Sequence, residues 1–111
     1  MCPVVPTPQG PVALRHRRSA RNLTPGQLAD LRSAISAAQA IHDDRGYQHW
    51  AGIHGLPLPM YCQHGTTLFL PWHRAYLLLF ERALQDRVAG VTLPWWDWTA
   101  HHADHPIPPA F

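Results

Sequence analysis

The stretch CQHGTTLFLPWHRAYLLLFE, Cys62 to Glu81, decides how this chain is read. From Pro71 onward its apolar residues recur at helical spacing. His73, Tyr76, Leu77 and Phe80, followed by Leu84, share one face. Proline is tolerated in a first helical turn, so the spacing predicts a helix from about Pro71 through Arg87, stopped by Gly90. His64 and His73 stand nine apart, and His54, in AGIHGLP, lies ten residues before His64. An unpartnered imidazole on an apolar face costs about 1–3 kcal/mol, so His73 requires either a hydrogen-bond partner in the core or a metal. Three histidines in one twenty-residue window, two of them followed by Gly55 and Gly65, keep the metal reading open beside the core reading. The glycines permit close backbone approach and unusual turns. Imidazole donors suit copper and zinc, among others.

Upstream, a first helix is signalled by Thr24 as N-cap, Pro25 as first helical residue and Gln27 as partner in a capping box. Leu23 and Leu28 occupy hydrophobic-staple positions, and Leu28, Leu31, Ile35, Ala38 and Ile41 repeat helically to about His42. Asp43, Asp44 and Gly46 interrupt the pattern. A short second helix is expected from Gly46 to His54 and Gly55. Pro57 and Pro59 make LPLPMY a connection. VTLPWWDWT, after Gly90, reads as an extended aromatic segment packed on the helices, and HHADHPIPPAF as loop. The expected fold class is all-α, a partial helix bundle with extended Pro-rich arms: an N-terminal arm over 1–14 and the bundle region over 15–111.

Composition sets the bounds. A chain of 111 residues holds one small domain. Its formal charge of +2 gives no general case for nucleic acid or anionic membrane. All nine basic residues are arginines, four of them in RHRRSAR, Arg15 to Arg21, which reads as a solvated face or flexible arm that includes His16. Cys2 and Cys62 do not make a disulfide framework. MCPVVPTPQGPVAL has no apolar run of signal-peptide length and no segment is long enough to span a bilayer, so the cytoplasm is the expected location unless the chain is a processed piece.

HGTTLFLPWHRAYLLLFE resembles the first-copper motif of the tyrosinase, catechol oxidase and molluscan haemocyanin family. There a His-Gly opens the motif, an aromatic precedes Trp-His-Arg, and Tyr and Phe-Glu follow along the helix. AGIHGLP resembles the segment bearing the first ligand, VTLPWWDWT the Trp-Asp-Trp segment after the helix, and RNLTPGQLADLR the opening helix. The resemblance covers roughly residues 15–111. It implies that His54, His64 and His73 bind one copper ion. It also implies a thioether between Cys62 and His64, the alternative being a free buried cysteine. Phe69 and Trp72 are expected to pack around the imidazoles and exclude water. Arg74, Glu81 and Asp97 are expected to be structural, the carboxylates taking donors from an arginine or a ligand imidazole.

The remaining histidines carry weaker readings. His49 is a surface or outer residue near the pocket, and His42 sits at a helix C-terminus, where positive charge is favourable. His101, His102 and His105 read as a solvated loop rather than a metal site.

What the resemblance implies about activity is oxidation of phenols or catechols to ortho-quinones with O2 at a pair of coppers, each held by three histidines. A second-copper segment, with two histidines four apart on a helix, is not found in this sequence. His101 and His105 have that spacing, but Pro106 keeps them out of a helix interior. Three explanations stay open. The chain is a fragment or one polypeptide of a split enzyme, it pairs with a second copy across a two-fold axis, or it is a mononuclear copper or zinc protein. A non-enzymatic oxygen-binding module of haemocyanin type is the alternative in a different functional class.

Overall fold

The computed structural model describes residues 14–55, 61–99 and 107–108. The expected arm over 1–14 therefore lies outside the described residues except for Leu14, and the HHADH cluster lies outside them entirely.

The first helix, α1, runs Pro25–Gln39. Its capping box is complete: the Gln27 N–H donates to Thr24 Oγ1 at 3.2 Å and the Thr24 N–H donates to Gln27 Oε1 at 3.0 Å. These bonds satisfy two groups at the helix start that otherwise face only water. α1 ends three residues before the expected His42. The Ala40 N–H turns back to the Ser36 carbonyl at 3.1 Å and the Ile41 N–H to the Ala38 carbonyl at 3.3 Å. The chain then doubles back so tightly that a Cβ at Gly46 would overlap the Ile41 carbonyl. His42 is exposed in this connection, past the helix end.

The second helix, α2, is Tyr47–His54, capped by the Gly55 N–H on the Ala51 carbonyl at 3.0 Å. The third, α3, is Phe69–Gln85, starting two residues before the expected Pro71. Thr66 supplies the reason. Its hydroxyl accepts from the Leu68 N–H at 3.2 Å and its carbonyl from the Phe69 N–H at 3.2 Å, which starts the spiral early. Pro71 still falls in the first turn, where its missing N–H is not needed.

α1 packs on both α2 and α3. The core is Leu31, Ala34 and Ala38 of α1 against Leu84 of α3 and Val91, with Leu23, Ile35, Tyr47, Phe80, Val88 and Leu93 around it. Ala34, fully buried, adds a position to the expected apolar stripe. Small residues at 34 and 38 let the helices approach closely.

Two expectations are corrected. The RHRRSAR stretch is not a free arm: Ser19 forms a parallel bridge with Trp95, with the Ala20 N–H on the Trp95 carbonyl at 2.8 Å and the Trp95 N–H on the Arg18 carbonyl at 3.0 Å. The aromatic segment is extended as expected, but only Val91 and Leu93 pack into the core. Trp95, Trp96 and Trp98 are 50%, 44% and 77% exposed, because the backbone beyond Pro94 runs beside Ser19 rather than inward. Among the described residues there is no strand, and no helix is long and apolar enough to cross a membrane. The architecture is an all-α partial bundle.

Candidate metal centre

Three separate elements deliver the three histidines. His54 is the last residue of α2, His73 lies in the opening turns of α3, and His64 sits in the loop between them. Gly65 takes φ +69°, a left-handed conformation that any Cβ would strain, and so lets the loop reverse directly after His64. Gly55 acts differently: its φ is −140°, and it serves as the cap of α2.

The rings converge. Centroids are 5.3 Å apart for His64 and His73, 5.5 Å for His54 and His73, and 6.0 Å for His54 and His64. Cys62, buried, stands among them: its Sγ is 3.2 Å from His64 Nε2 and 3.2 Å from His73 Nε2. One donor atom from each of these four residues lies within 4.8 Å of the others. Around one ion with metal–nitrogen bonds of about 2.0–2.1 Å, donors stand roughly 3.3–3.5 Å apart, so modest side-chain rotation closes the set. The donor chemistry fits copper or zinc.

His73 is already oriented for this. Its Nδ1 lies 2.7 Å from the Phe69 carbonyl, one helical turn back. A carbonyl only accepts, so Nδ1 carries the proton and Nε2 presents its lone pair to the cluster. Phe69 and Trp72 flank the imidazoles but do not exclude water, contrary to expectation: His54 and His64 are exposed and Phe69 is 40% exposed. Phe69 lies 4.3 Å from His73 and 5.6 Å from His64, and Trp72 lies 4.9 Å from His73 and 6.3 Å from His54.

Sequence reasoning missed two contributors. Tyr76 stacks on Trp72 at 5.3 Å, approaches His54 at 5.5 Å and donates its hydroxyl to the Trp50 carbonyl at 2.8 Å, tying α2 to α3 beside the site. Burial pushes its phenol above the usual 10.0. Trp50 contributes that carbonyl and a ring 6.1 Å from Tyr76. The signal was available: Tyr76 follows His73 by three residues and Trp50 precedes His54 by four, both on ligand faces.

The expected structural residues divide. Glu81 is buried and takes its donor from an arginine, Arg17 Nε at 2.8 Å, and from the Leu93 N–H at 2.7 Å. Asp97 accepts from the Thr99 hydroxyl at 2.6 Å and the Thr99 N–H at 3.2 Å. Arg74 is exposed and makes no ion pair among the described residues. His49 and His16 are exposed and stand outside the four-residue cluster.

The family profile described as the common central domain of tyrosinase matches residues 44–110. "Hemocyanin, units G and H" of Sepia officinalis is 35% identical over 100 residues, covering 82% of this chain and 18% of that protein. "Tyrosinase HcTyr2" of Hahella sp. is 43% identical over 75 residues, covering 68% of this chain and 12% of that protein. The structure of a functional unit from octopus hemocyanin superposes with a TM-score of 0.76 at 36% identity, over 82% of this chain and 26% of that one. The chain thus spans less than a fifth of the length of either relative. With a matching profile over most of its length, and a histidine cluster suited to the copper that this family binds, the chain belongs to the tyrosinase family of type 3 copper proteins.

Proposed function

We propose that His54, His64 and His73 hold one copper ion of a dicopper oxidoreductase that oxidises phenols or catechols to ortho-quinones with O2. The observation that carries this reading is the convergence of three imidazoles from three elements, with His73 Nε2 left as a lone-pair donor by its Nδ1–H bond to Phe69. When bound, copper supplies redox chemistry with dioxygen that no side chain provides. The protein's part is to orient the imidazoles. Phe69 and Trp72 flank the cluster, and the Tyr76–Trp50 bond holds α2 against α3 so that His54 stays in register with His73.

The second copper set belongs, on this reading, to a segment or chain that covers α3. The support is the exposure of apolar side chains around that helix: Leu70, Leu77, Leu78 and Leu79 are 69%, 41%, 44% and 49% exposed, Leu77 among them although its spacing puts it on the core face. Four neighbouring leucines left in water are unfavourable by about 25 cal/mol for each Å² that a partner would cover. A thioether between Cys62 and His64 is compatible with the placement of the sulfur against that ring.

An oxygen-carrier reading is supported by the haemocyanin relatives, which match this chain over as much of its length as the tyrosinases do. Oxygen electrode and quinone absorbance measurements on the copper-loaded protein with its covering partner separate the two. Oxygen consumed with quinone formed from catechol supports the oxidase. Reversible oxygen uptake with catechol unchanged supports the carrier.

A further inference from the structure

The position of Cys62 carries more than a link to one ring. Its Sγ stands 3.2 Å from Nε2 of both His64 and His73, within S–H···N hydrogen-bond reach of either ring, so the sulfur serves the whole cluster and not His64 alone. In a tetrahedral site with metal–sulfur near 2.3 Å and metal–nitrogen near 2.0–2.1 Å, the sulfur-to-nitrogen edge is about 3.5 Å. Cys62 thus lies near the distance at which a fourth donor would stand, and His54 offers a nitrogen within 4.8 Å of the same set. Cys62 is also buried and is a free cysteine, so no disulfide competes for it.

We propose that the unlinked Cys62 thiolate is the fourth donor of a closed, four-coordinate site, His54–Cys62–His64–His73, that takes a d10 ion such as zinc(II). This rests on the reading that the three histidines are metal ligands. Binding forms the sulfur–metal bond and releases the Sγ proton to solvent, with no change in the oxidation state of sulfur. Thiolate and imidazole together are the donors that zinc favours, and four protein donors leave no open position. The unlinked cysteine therefore makes this a closed site rather than an open one. Bonding of Cys62 to His64 removes the thiolate and reopens the position.

The test uses the whole chain, prepared without copper and carrying Cys2→Ser so that one thiol remains. Cobalt(II) is added and read by absorbance. Expected are tetrahedral visible bands together with a near-ultraviolet sulfur-to-cobalt band, both lost when zinc displaces cobalt. Cys62→Ser on the same background keeps visible cobalt bands and loses the near-ultraviolet one. Independently of how that variant folds, zinc protects the Cys62 thiol from alkylation, and a chelator removes the protection. If cobalt binds in a manner that requires His73 but the near-ultraviolet band and the protection are absent, the four-donor site is overturned and the three-histidine reading stands. If cobalt binding is unaffected by His73→Ala, both fall.

Discussion

Arg17 Nε donates to Glu81 Oε2 across 2.8 Å, joining the basic stretch before α1 to the buried side of α3. The same carboxylate oxygen accepts from the Leu93 N–H at 2.7 Å, so Glu81 also fixes the segment that follows α3. Arg17→Ala leaves a buried carboxylate with one of its two donors. Arg17 itself is one-third exposed, so water offsets part of the loss. A destabilisation of about 1–3 kcal/mol is expected, measured by urea or thermal unfolding. In Glu81→Gln the further effect of Arg17→Ala should shrink, because the charge it serves is gone.

Two glycines predict opposite outcomes. Gly46→Ala sets a methyl against the Ile41 carbonyl, a backbone atom that cannot swing aside, and should destabilise by about 1–3 kcal/mol. Gly26, in the first turn of α1, has only Thr24 Oγ1 near its Cβ position, at 4.0 Å. Gly26→Ala should stabilise by about 0.4–1 kcal/mol, since alanine restricts the unfolded chain. Thermal melts of the two variants check both signs. Equal shifts would contradict the packing of the 40–46 connection.

Asp43 is held low by Arg45, which donates Nε and Nη2 to its carboxylate at 3.0 and 2.6 Å and its backbone N–H at 3.0 Å. The side-chain bond is the main cause of a pKa lowered from 3.8 to about 2. A depressed folded-state pKa means that this contribution is present above pH 3.8 and is lost as pH falls through about 2. An NMR titration of the Asp43 carboxyl carbon should show its midpoint near 2, returning toward 3.8 in Arg45→Ala.

Tyr76 predicts an effect at the alkaline end. Burial first, then Tyr47 and Cys62, raise its phenol above 10.0. The stabilisation it gives is complete below pH 10.0 and fades as pH rises through the higher folded value. Ultraviolet titration should show one tyrosine ionising late, and Tyr76→Phe should remove that component. The same variant frees the Trp50 carbonyl and should cost about 1 kcal/mol.

Much of this is legible in the sequence. The capping box at Thr24 and Gln27 and the apolar stripe of α1 are local signals, and local signals survive folding. His54, His64 and His73 were readable through their spacing and the motif around them. What was not legible depends on distant parts of the chain. Arg17 and Glu81 are sixty-four residues apart, so nothing near either one announces the pair. The Ser19–Trp95 bridge is likewise non-local, and it is why the basic stretch is held while the tryptophans stay outside. The early start of α3 came from the Thr66 turn, a side-chain effect weaker in sequence than the proline that follows it. Cys62 was readable as a neighbour of His64, but its equal approach to His73 required the fold.

On the proposed reading, one copper ion is held by His54, His64 and His73. The direct measurement is copper retained per chain after reconstitution and dialysis, with the electron paramagnetic resonance spectrum of the copper(II) form. Wild-type protein should retain one copper with nitrogen couplings from imidazole. His73→Ala should lose it, and His102→Ala should retain it nearly unchanged. Equal losses from His73→Ala and His102→Ala, or full retention in His73→Ala, would contradict the account.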